Sequence, residues 1–420
     1  MSISHKGSRL LLSGNAVQVD INTLYLDFNN DTSGIQFGDL IIPSGNPVIT
    51  IRPYEGVYGG GIAIEEGTTN LISNPMFDSN IDWVNGNLAT PTWNSGFNDI
   101  KNDNGYMYVT GSSGNGFVYG PTLRNFASGG NYTVSAYIEG DGIDISNIVT
   151  VGGTVFYSGN SIYDDYTWSP SMNRYTKINE RGTYRIEQSF TLNQNSHSSN
   201  SFDYYQPRIG IMSTYTNIKV YGIQVENKAF STSIVNGTRA KGMLAYFDNG
   251  IDHTKGTISF WYKPTINWSD TSTSNGSNEV THEDLFTWGI PGQSNCIWSR
   301  RERENNIINF LYGAGTCNYT TTSLSGNQFV HIAFAWQSGN QQLYINGNYA
   351  SSSTSSVISR PTTGYFEVGT REFGSVYPNA DGIISDFIIS RNFMSSEDIG
   401  NIYISKRPLF NPFDRRAYAL

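Results

Sequence analysis

The feature that most constrains the fold is a set of three apolar runs in the C-terminal part of the chain, each the length of one β-strand. They cover residues 256–264, 329–336 and 382–391 and are rich in β-branched and aromatic residues. Asn346-Gly347 stands between two further short apolar segments. Asn-Gly favours a type I′ hairpin turn, because both residues tolerate positive φ. This part of the chain is therefore predicted to be a sandwich of antiparallel strands.

Composition extends this prediction to the whole chain. Charged residues make up only 15% of the 420 residues and aromatic residues 14%, with 27 Tyr and 44 Gly. Many short strands joined by Gly and Asn turns have such a composition, whereas a helical or doubly wound enzyme needs more Ala, Leu, Glu and Lys. The predicted fold class is all-β, with two β-sandwich (jelly-roll) domains in tandem and a small N-terminal β-rich docking arm.

Five segments are predicted along the chain. Residues 1–68 have short alternating runs but too little sequence for a robust core, so they are predicted to dock as an arm on a partner subunit or on the next domain. Residues 69–226 form a first sandwich, residues 227–240 a linker, and residues 241–405 a second sandwich. Residues 406–420 hold two Pro and three aromatic residues, and are predicted to dock on a neighbour as a C-terminal tail.

The charge and hydropathy patterns argue against several partners. The net charge is −9 and no basic stripe is present, so nucleic acid is not an expected partner. No apolar stretch approaches the ~20 residues of a membrane span, and the N-terminus lacks the apolar run of a signal peptide. Neither membrane insertion nor secretion by a signal peptide is therefore predicted.

The chain has two cysteines, Cys296 and Cys317. A hairpin turning near Asn305-Asn306 would bring them close but not opposite. Synthesis in a cytoplasm favours free thiols, and a disulfide stays open as the alternative. Their separation fits no common four-ligand metal pattern.

The two ends of the first sandwich carry a family resemblance. Residues 70–78 read Asn-Leu-Ile-Ser-Asn-Pro-Met-Phe-Asp and are followed by Trp83, and the last strand ends in Gln224-Val225-Glu226. These ends resemble those of jelly-roll carbohydrate-binding modules. The resemblance implies glycan binding and places Asp78 where that family uses an early carboxylate for a structural calcium. No other cofactor is expected.

The second sandwich resembles laminin-G-like and concanavalin A-like domains over residues 241–405. The resemblance rests on the three strands above and on a short helix after the last of them, with Ser395 as its N-cap and Ile399, Ile402 and Tyr403 packing on the sandwich. One departure is Ser385, where relatives commonly carry Asp. The resemblance implies a lectin-like recognition scaffold.

The segments that connect the predicted domains carry a further resemblance, to proteins of virus particles. Residues 65–71 and 226–240 are similar to the connectors between such modules in bacteriophage tail and virion proteins. This implies a virion structural protein, part of a tail fibre, head fibre, decoration or baseplate, made in the host cytoplasm and exposed on the particle surface. The implied partners are other virion proteins and host-surface carbohydrate, with a homo-oligomer, taken as a trimer, as the assembly.

Catalysis is not predicted. Glucanases of the concanavalin type place two carboxylates on one strand, two or four residues apart. The pairs Glu65-Glu66, Asp164-Asp165 and Glu283-Asp284 are adjacent, so on a strand their side chains point to opposite faces. Two alternatives stay open: an architectural virion component that binds only neighbouring virion proteins, and a polysaccharide depolymerase.

Aromatic residues in polar surroundings are the candidate glycan contacts, because the C–H faces of sugars stack on Trp and Tyr rings. The polar segments 164–168 and 269–284 are predicted to be binding rims. Trp261 and Trp336, within apolar strands, are predicted to be core. The candidate contacts are Trp83, Trp93, Asp165, Trp168, Trp268 and Trp288; for the tryptophans, packing in the core stays open as the alternative.

Overall fold

The structure is a computed structural model, and it describes most of the chain from residue 61 to residue 406. Within that span it leaves out residues 66, 79–80, 99–102, 112–114, 125, 128, 159–162, 166–169, 179–180, 193–201, 213–216, 229, 240–244, 249–250, 266, 270–281, 325–327, 364 and 372–379. Before residue 61 it describes five short strands, and the predicted tail lies outside the described residues except for its first position.

Six strands precede the first sandwich. They are β1 (Arg9–Leu12), β2 (Asn15–Gln18), β3 (Thr23–Leu26), β4 (Leu40–Ile41), β5 (Thr50–Arg52) and β6 (Gly61–Ile64). β1 and β2 form an antiparallel hairpin of their own.

The next strands form the first sandwich, with one 3-10 turn at Pro170–Met172. They are β7 (Thr68–Thr69), β8 (Val84–Asn87), β9 (Ala89–Asn98), β10 (Asp103–Gly111), β11 (Gly116–Tyr119), β12 (Asn131–Gly140), β13 (Val149–Tyr157), β14 (Tyr163–Asp165), β15 (Arg174–Lys177), β16 (Thr183–Thr191), β17 (Phe202–Ile211), β18 (Asn217–Glu226) and β19 (Thr238–Arg239).

The second sandwich follows, with a 3-10 turn at Thr321–Ser323. Its elements are β20 (Ala245–Phe247), β21 (Lys255–Pro264), β22 (His282–Trp288), β23 (Ile297–Glu302), β24 (Ile307–Tyr312), β25 (Gly315–Thr320), β26 (Val330–Gln337), β27 (Asn340–Ile345), β28 (Asn348–Thr354), β29 (Tyr365–Val368), β30 (Gly382–Ser390) and helix α1 (Ser396–Lys406). The prediction of an all-β fold is confirmed.

The chain divides into two compact units, residues 67–239 and residues 1–66 together with 240–420. The segment predicted as a separate arm supplies strands to the second sandwich. There β3 and β6 pair with β30, and β4 pairs with β20. Such short strands bury too little surface to be stable alone, so they complete existing sheets. The first sandwich is therefore an insertion within the second, and we name it the inserted unit; the other is the enclosing unit.

The inserted unit packs a six-stranded sheet, β15-β16-β12-β18-β10-β9, against a five-stranded sheet, β14-β13-β17-β11-β8. In β12 the side chains of Tyr132, Val134, Ala136 and Ile138 are buried in the core between the sheets, as their alternation predicts. Entry and exit of the unit meet, because β7 pairs with β19.

The predicted linker is part of the inserted unit. Ser231, Thr232 and Ser233 are buried, and the backbone N–H of Thr232 donates to Glu226 Oε1 at 2.7 Å. Asn70, at the entry, donates from its side chain to the carbonyl of Val235 at 3.0 Å. Through these contacts residues 231–235, which we name the exit segment, pack against the outer side of β18. The segment is therefore part of the inserted unit and is not a separate linker.

The enclosing unit has a seven-stranded sheet, β25-β24-β23-β22-β29-β20-β4, and an eight-stranded sheet that runs β28-β27-β26-β21-β30-β6-β5, with β3 also on β30. The predicted turn is present: Asn346 and Gly347 have φ of 50° and 76°. Ser395 caps α1, because its Oγ accepts from the N–H of Asp398 at 3.1 Å and donates to that carboxylate at 2.7 Å.

Helix α1 covers part of the eight-stranded sheet. Ile399 and Ile402 are buried, and the Tyr403 ring stacks on Trp261 with 5.5 Å between centroids. In the part of the chain that the structure describes, no helix is long and apolar enough to cross a membrane.

Both cysteines are buried and free. Cys296 directly precedes β23, and Cys317 lies on β25 and faces the core. Burial raises the pKa of the Cys317 thiol to about 11. A thiol that stays protonated at neutral pH is a weak nucleophile.

Candidate functional site

The outer side of the five-stranded sheet carries an aromatic surface. Side chains alternate along its strands: Val118 is fully buried in the core, while Phe117 and Tyr119 on either side of it point outward and are half-buried. On β13 and β17, Phe156 and Tyr204 also point outward, half-buried, and their rings stack at 4.4 Å between centroids. We name the outward side of this sheet, with these four rings and the polar residues between them, the aromatic face.

Arg208 lies between the two aromatic pairs. Its guanidinium carbon lies 3.7 Å from the centroid of the Phe117 ring and 5.1 Å from that of Tyr119. Its Nη1 donates to Thr154 Oγ1 at 3.3 Å. Only 3% of Arg208 is exposed, so ring faces and a hydroxyl fix its position.

The remaining polar groups on this face are close neighbours in the sheet register. Gln206 is paired with Thr154, and Tyr204 with Phe156. Gly210 is opposite Thr150, and a Cβ at Gly210 would lie 2.6 Å from Thr150 Oγ1, so the Thr150 side chain fills the space next to this glycine. The face thus has ring surfaces at both ends and hydrogen-bonding groups between them. Such an arrangement suits a flat ligand with apolar faces and polar edges.

Of the predicted site residues, Asp165 belongs to this sheet. It is at the end of β14, opposite Thr154 of β13. Trp168 lies outside the described residues.

Three predicted contacts are core residues instead. Trp83, Trp268 and Trp288 are 5%, 0% and 0% exposed. Trp268 donates its indole N–H to the carbonyl of Gln328 at 3.1 Å, and Trp288 to Asp248 Oδ2 at 2.9 Å. An indole whose faces are packed in a core cannot stack on a surface sugar, so for these three tryptophans the structure favours the alternative, packing in the core.

Trp93 is the one predicted tryptophan with a substantially exposed ring among the described residues, at 40%. It is on β9, the edge strand of the six-stranded sheet, and its indole N–H donates to the carbonyl of Phe77 at 2.9 Å. It therefore lies on a different sheet from the aromatic face.

Asp78, the predicted calcium ligand, is exposed, and its backbone N–H donates to Asn74 Oδ1 at 3.1 Å. Among the described residues, no group of three or more His, Cys, Asp or Glu side chains is placed to hold a metal ion. Calcium binding at Asp78 stays a prediction.

The adjacent carboxylates of β22 point to opposite sides of their sheet. Glu283 points into the sandwich, where it accepts from the Tyr262 hydroxyl at 2.9 Å and from Arg301 Nη1 at 2.9 and 3.0 Å. Asp284 points outward, and its Oδ2 is 3.6 Å from Nε of Arg371. Each carboxylate has a cationic partner of its own, so the two do not converge on one point.

His331, the histidine within β26, is completely buried. Its Nε2 lies 2.8 Å from Ser259 Oγ, and its ring packs against Trp261 and Tyr403 at 5.3 and 5.9 Å between centroids. This Ser–His pair is sealed beneath α1, so a substrate in solution does not reach it.

Sequence reasoning missed the aromatic face itself. In β17 the core residues Tyr205 and Ile209 alternate with Tyr204, Gln206 and Arg208. A strand that alternates apolar residues with polar and aromatic ones on its other side was the available signal.

A comparison with protein-family models agrees with this fold. Residues 236–400 match the family model of the Concanavalin A-like lectin/glucanases superfamily, Laminin_G_3. This confirms the predicted concanavalin A-like domain. The chain has no match among curated proteins.

Three solved structures are similar at low identity. Domain 4 of AbnA, an extracellular GH43 arabinanase from Geobacillus stearothermophilus solved with arabinotriose, is 16% identical over 42% of this chain and 80% of that one, with a TM-score of 0.30. Trypanosoma rangeli sialidase is 14% identical over 43% of this chain and 29% of its own, at 0.30. The botulinum neurotoxin serotype D binding domain is 20% identical over 39% and 40%, at 0.29. The chain thus spans less than half of the sialidase and toxin chains.

Proposed function

We propose that this protein is a non-enzymatic glycan-binding protein and that the aromatic face of the inserted unit holds the glycan. The observation that carries the proposal is the placement of four half-buried rings around Arg208, Gln206 and Thr154 on one sheet. Ring faces remove the C–H faces of sugars from water, while the half-buried carboxamide of Gln206 binds sugar hydroxyls. Arg208 and Thr154 are buried, and Arg208 packs against the Phe117 ring. The concanavalin A-like match of the enclosing unit supports the same class of function.

We extend the proposal to a setting on the surface of a bacteriophage particle, with other virion proteins as partners and a homotrimer as the assembly. The support is the resemblance of the segments 65–71 and 226–240 to connectors in virion proteins. Electron microscopy of purified particles decorated with an antibody against this protein tests the location. Light scattering of the purified protein tests the trimer.

Glycan binding is tested on an array of host-surface and environmental glycans. The double variant Tyr119→Ala/Tyr204→Ala removes one ring from each end of the face. Each ring contributes about 1–2 kcal/mol, so we expect affinity to fall roughly 30-fold or more. Tyr349→Ala is the matched control, because Tyr349 is an exposed tyrosine, 54% exposed, in the enclosing unit.

Two results would contradict the proposal. Retention of full affinity by the double variant would place the glycan elsewhere. No glycan binding by a protein that still incorporates into virions would favour a purely architectural role, and a fall in polysaccharide viscosity on incubation would favour a depolymerase.

A further inference from the structure

Three buried side chains of the inserted unit form a cluster that glycan binding does not use. Gln224 and Glu226 lie on β18, in the sheet opposite to the one that bears the aromatic face, and both are completely buried. Thr232, in the exit segment that covers them, is 1% exposed. The three groups are a carboxamide, a carboxylate and a hydroxyl, enclosed together away from water.

Their contacts place a nucleophile, a base and an electrophile together. The Thr232 hydroxyl donates to Glu226 Oε2 at 2.9 Å, as a hydroxyl does to a general base. Gln224 Nε2 donates to Thr232 Oγ1 at 3.2 Å and to the Thr232 carbonyl at 3.3 Å, so the hydroxyl oxygen lies beside the carboxamide group. Gln224 Nε2 also donates to Glu226 Oε1 at 2.8 Å, so the same carboxylate touches both the attacking and the leaving group.

Neighbouring groups hold the base and polarise the carboxamide. The backbone N–H of Val235 donates to Gln224 Oε1 at 2.9 Å, which is where negative charge develops if the carboxamide carbon is attacked. The Thr68 hydroxyl and the Thr232 N–H each donate to Glu226 at 2.7 Å. These bonds fix the carboxylate while leaving it in contact with the Thr232 hydroxyl.

We propose that Thr232 and Gln224 form an intramolecular ester in the folded protein. Thr232 Oγ1 attacks Cδ of Gln224 and its proton passes to Glu226. The tetrahedral intermediate collapses with cleavage of the Cδ–Nε2 bond, and the proton on Glu226 leaves with the nitrogen as ammonia. One C–O bond replaces one C–N bond, no atom is oxidised or reduced, and no co-reactant is needed.

The surroundings favour this reaction over its reversal. The fold already holds the Thr232 hydroxyl beside the Gln224 carboxamide, so the reaction does not have to offset the entropy lost when two separate molecules meet. Enclosure of the site keeps water from hydrolysing the ester. Ammonia takes up a proton at neutral pH and is lost to solvent, which removes the reverse nucleophile. The product would clamp the exit segment to β18 beside the β7–β19 pair, where the chain leaves the inserted unit.

Mass spectrometry of the full-length protein tests the ester. After purification in the folded state and denaturation, the intact chain is expected to be lighter by one ammonia. Trypsin cleaves after Lys219, Lys228 and Arg239, so the peptides 220–228 and 229–239 are expected to remain joined. Hydroxylamine, which cleaves esters, is expected to separate them, with the hydroxamate on Gln224.

Variants assign the chemistry. Thr232→Val and Glu226→Gln are each expected to restore the full mass and release two separate peptides. Thr133→Val is the matched control and is expected to keep the joined pair: it removes another buried hydroxyl, which donates to the carbonyl of Lys228 at 2.8 Å, just before the exit segment. Separate peptides of unaltered mass from the folded wild-type protein would overturn the proposal, as would a link that persists in Thr232→Val. Because the wild-type result is decisive alone, a variant that fails to fold does not weaken the test.

Discussion

The inserted and enclosing units use the outer faces of their sheets in opposite ways. In the inserted unit, Phe117, Tyr119 and Tyr204 remain half-exposed on the five-stranded sheet. In the enclosing unit, α1 covers part of the eight-stranded sheet and the outer side of the seven-stranded sheet pairs charges such as Arg300 with Glu302. The difference shows that one architecture can have outer faces of different chemistry, aromatic in the inserted unit and helix-covered or charged in the enclosing unit.

The cores differ as well. In the inserted unit the buried ion pair Arg185–Glu187, 5% and 6% exposed, lies on β16 on the side away from the core residues Tyr184 and Ile186. In the enclosing unit the ion pair Glu283–Arg301, 0% and 1% exposed, lies between the sheets. A buried pair needs hydrogen bonds to offset its desolvation. Tyr262 supplies one of these bonds, and the carbonyl of Asn267 accepts another from Arg301 at 2.5 Å.

The largest expected effect tests this core difference. Arg301→Met leaves the Glu283 charge buried without its cation, and we expect a loss of about 3–5 kcal/mol in the free energy of unfolding. Urea unfolding of the full chain followed by tryptophan fluorescence measures it. The double variant Arg301→Met/Glu283→Gln is expected to recover part of the loss, and a cost below about 1 kcal/mol for the single variant would contradict the account.

The second prediction tests whether α1 closes the eight-stranded sheet. Gly347 has a φ of 76°, and a Cβ there would lie 2.7 Å from Tyr403 Cβ. We expect Gly347→Ala to cost about 2–3 kcal/mol, from backbone strain and displacement of the helix, and to speed amide exchange in α1.

Gly237→Ala in the inserted unit is the matched control. Its φ is 83°, and nothing lies within 4 Å of the added Cβ. It is expected to show the backbone cost of about 1 kcal/mol alone. Equal costs for the two variants would mean that the helix contact contributes nothing.

The third prediction concerns the charged side of the seven-stranded sheet. Burial alone raises the pKa of Glu302, but hydrogen bonds from Asn305 and Asn309 and the charge of Arg300 outweigh it and hold the pKa below its usual value. A lowered folded-state pKa adds stability above the unfolded-state pKa, and that stability is lost as pH falls through the folded-state pKa.

Wild type is therefore expected to lose more stability than Glu302→Gln as pH falls from about 6 to about 3, a window that brackets the ordinary carboxyl pKa. Urea unfolding at several pH values in that window measures the difference. Parallel pH profiles for the two proteins would show that the ion pairs do not stabilise this face.

The smallest expected effect sharpens the comparison within the inserted unit. Trp93→Ala removes an exposed ring from the edge of the six-stranded sheet, so we expect glycan affinity to stay within about twofold of wild type. Titration calorimetry with a glycan found on the array measures it. A loss as large as that of the double variant at Tyr119 and Tyr204 would move the site to this edge.

Local sequence signals predicted the local structure well. The run 256–264 became β21, Asn346-Gly347 formed its turn, and Ser395 capped α1. In each case neighbouring residues decide the conformation. The pairing of β3 and β6 with β30 could not be found in this way, because strand partners far apart in sequence are selected by sheet edges that local patterns do not encode.

The candidate site shows the same limit. Trp268 and Trp288 stand beside polar sequence yet pack in the core, while Tyr204 stands beside core residues yet faces outward. Polar neighbours in the sequence indicate where a strand ends. Which side of the sheet a side chain faces depends instead on whether its position along the strand is odd or even.

The insertion of one sandwich within another has a consequence for how the chain is made. β3 emerges from the ribosome long before its partner β30, whereas the strands of the inserted unit emerge as one uninterrupted stretch. The inserted unit can complete its sheets first, while the opening strands wait with unsatisfied backbone edges. If synthesis stops before β30, the backbone groups of β3 have no partner strand in the chain. They can then pair with the strands of other chains.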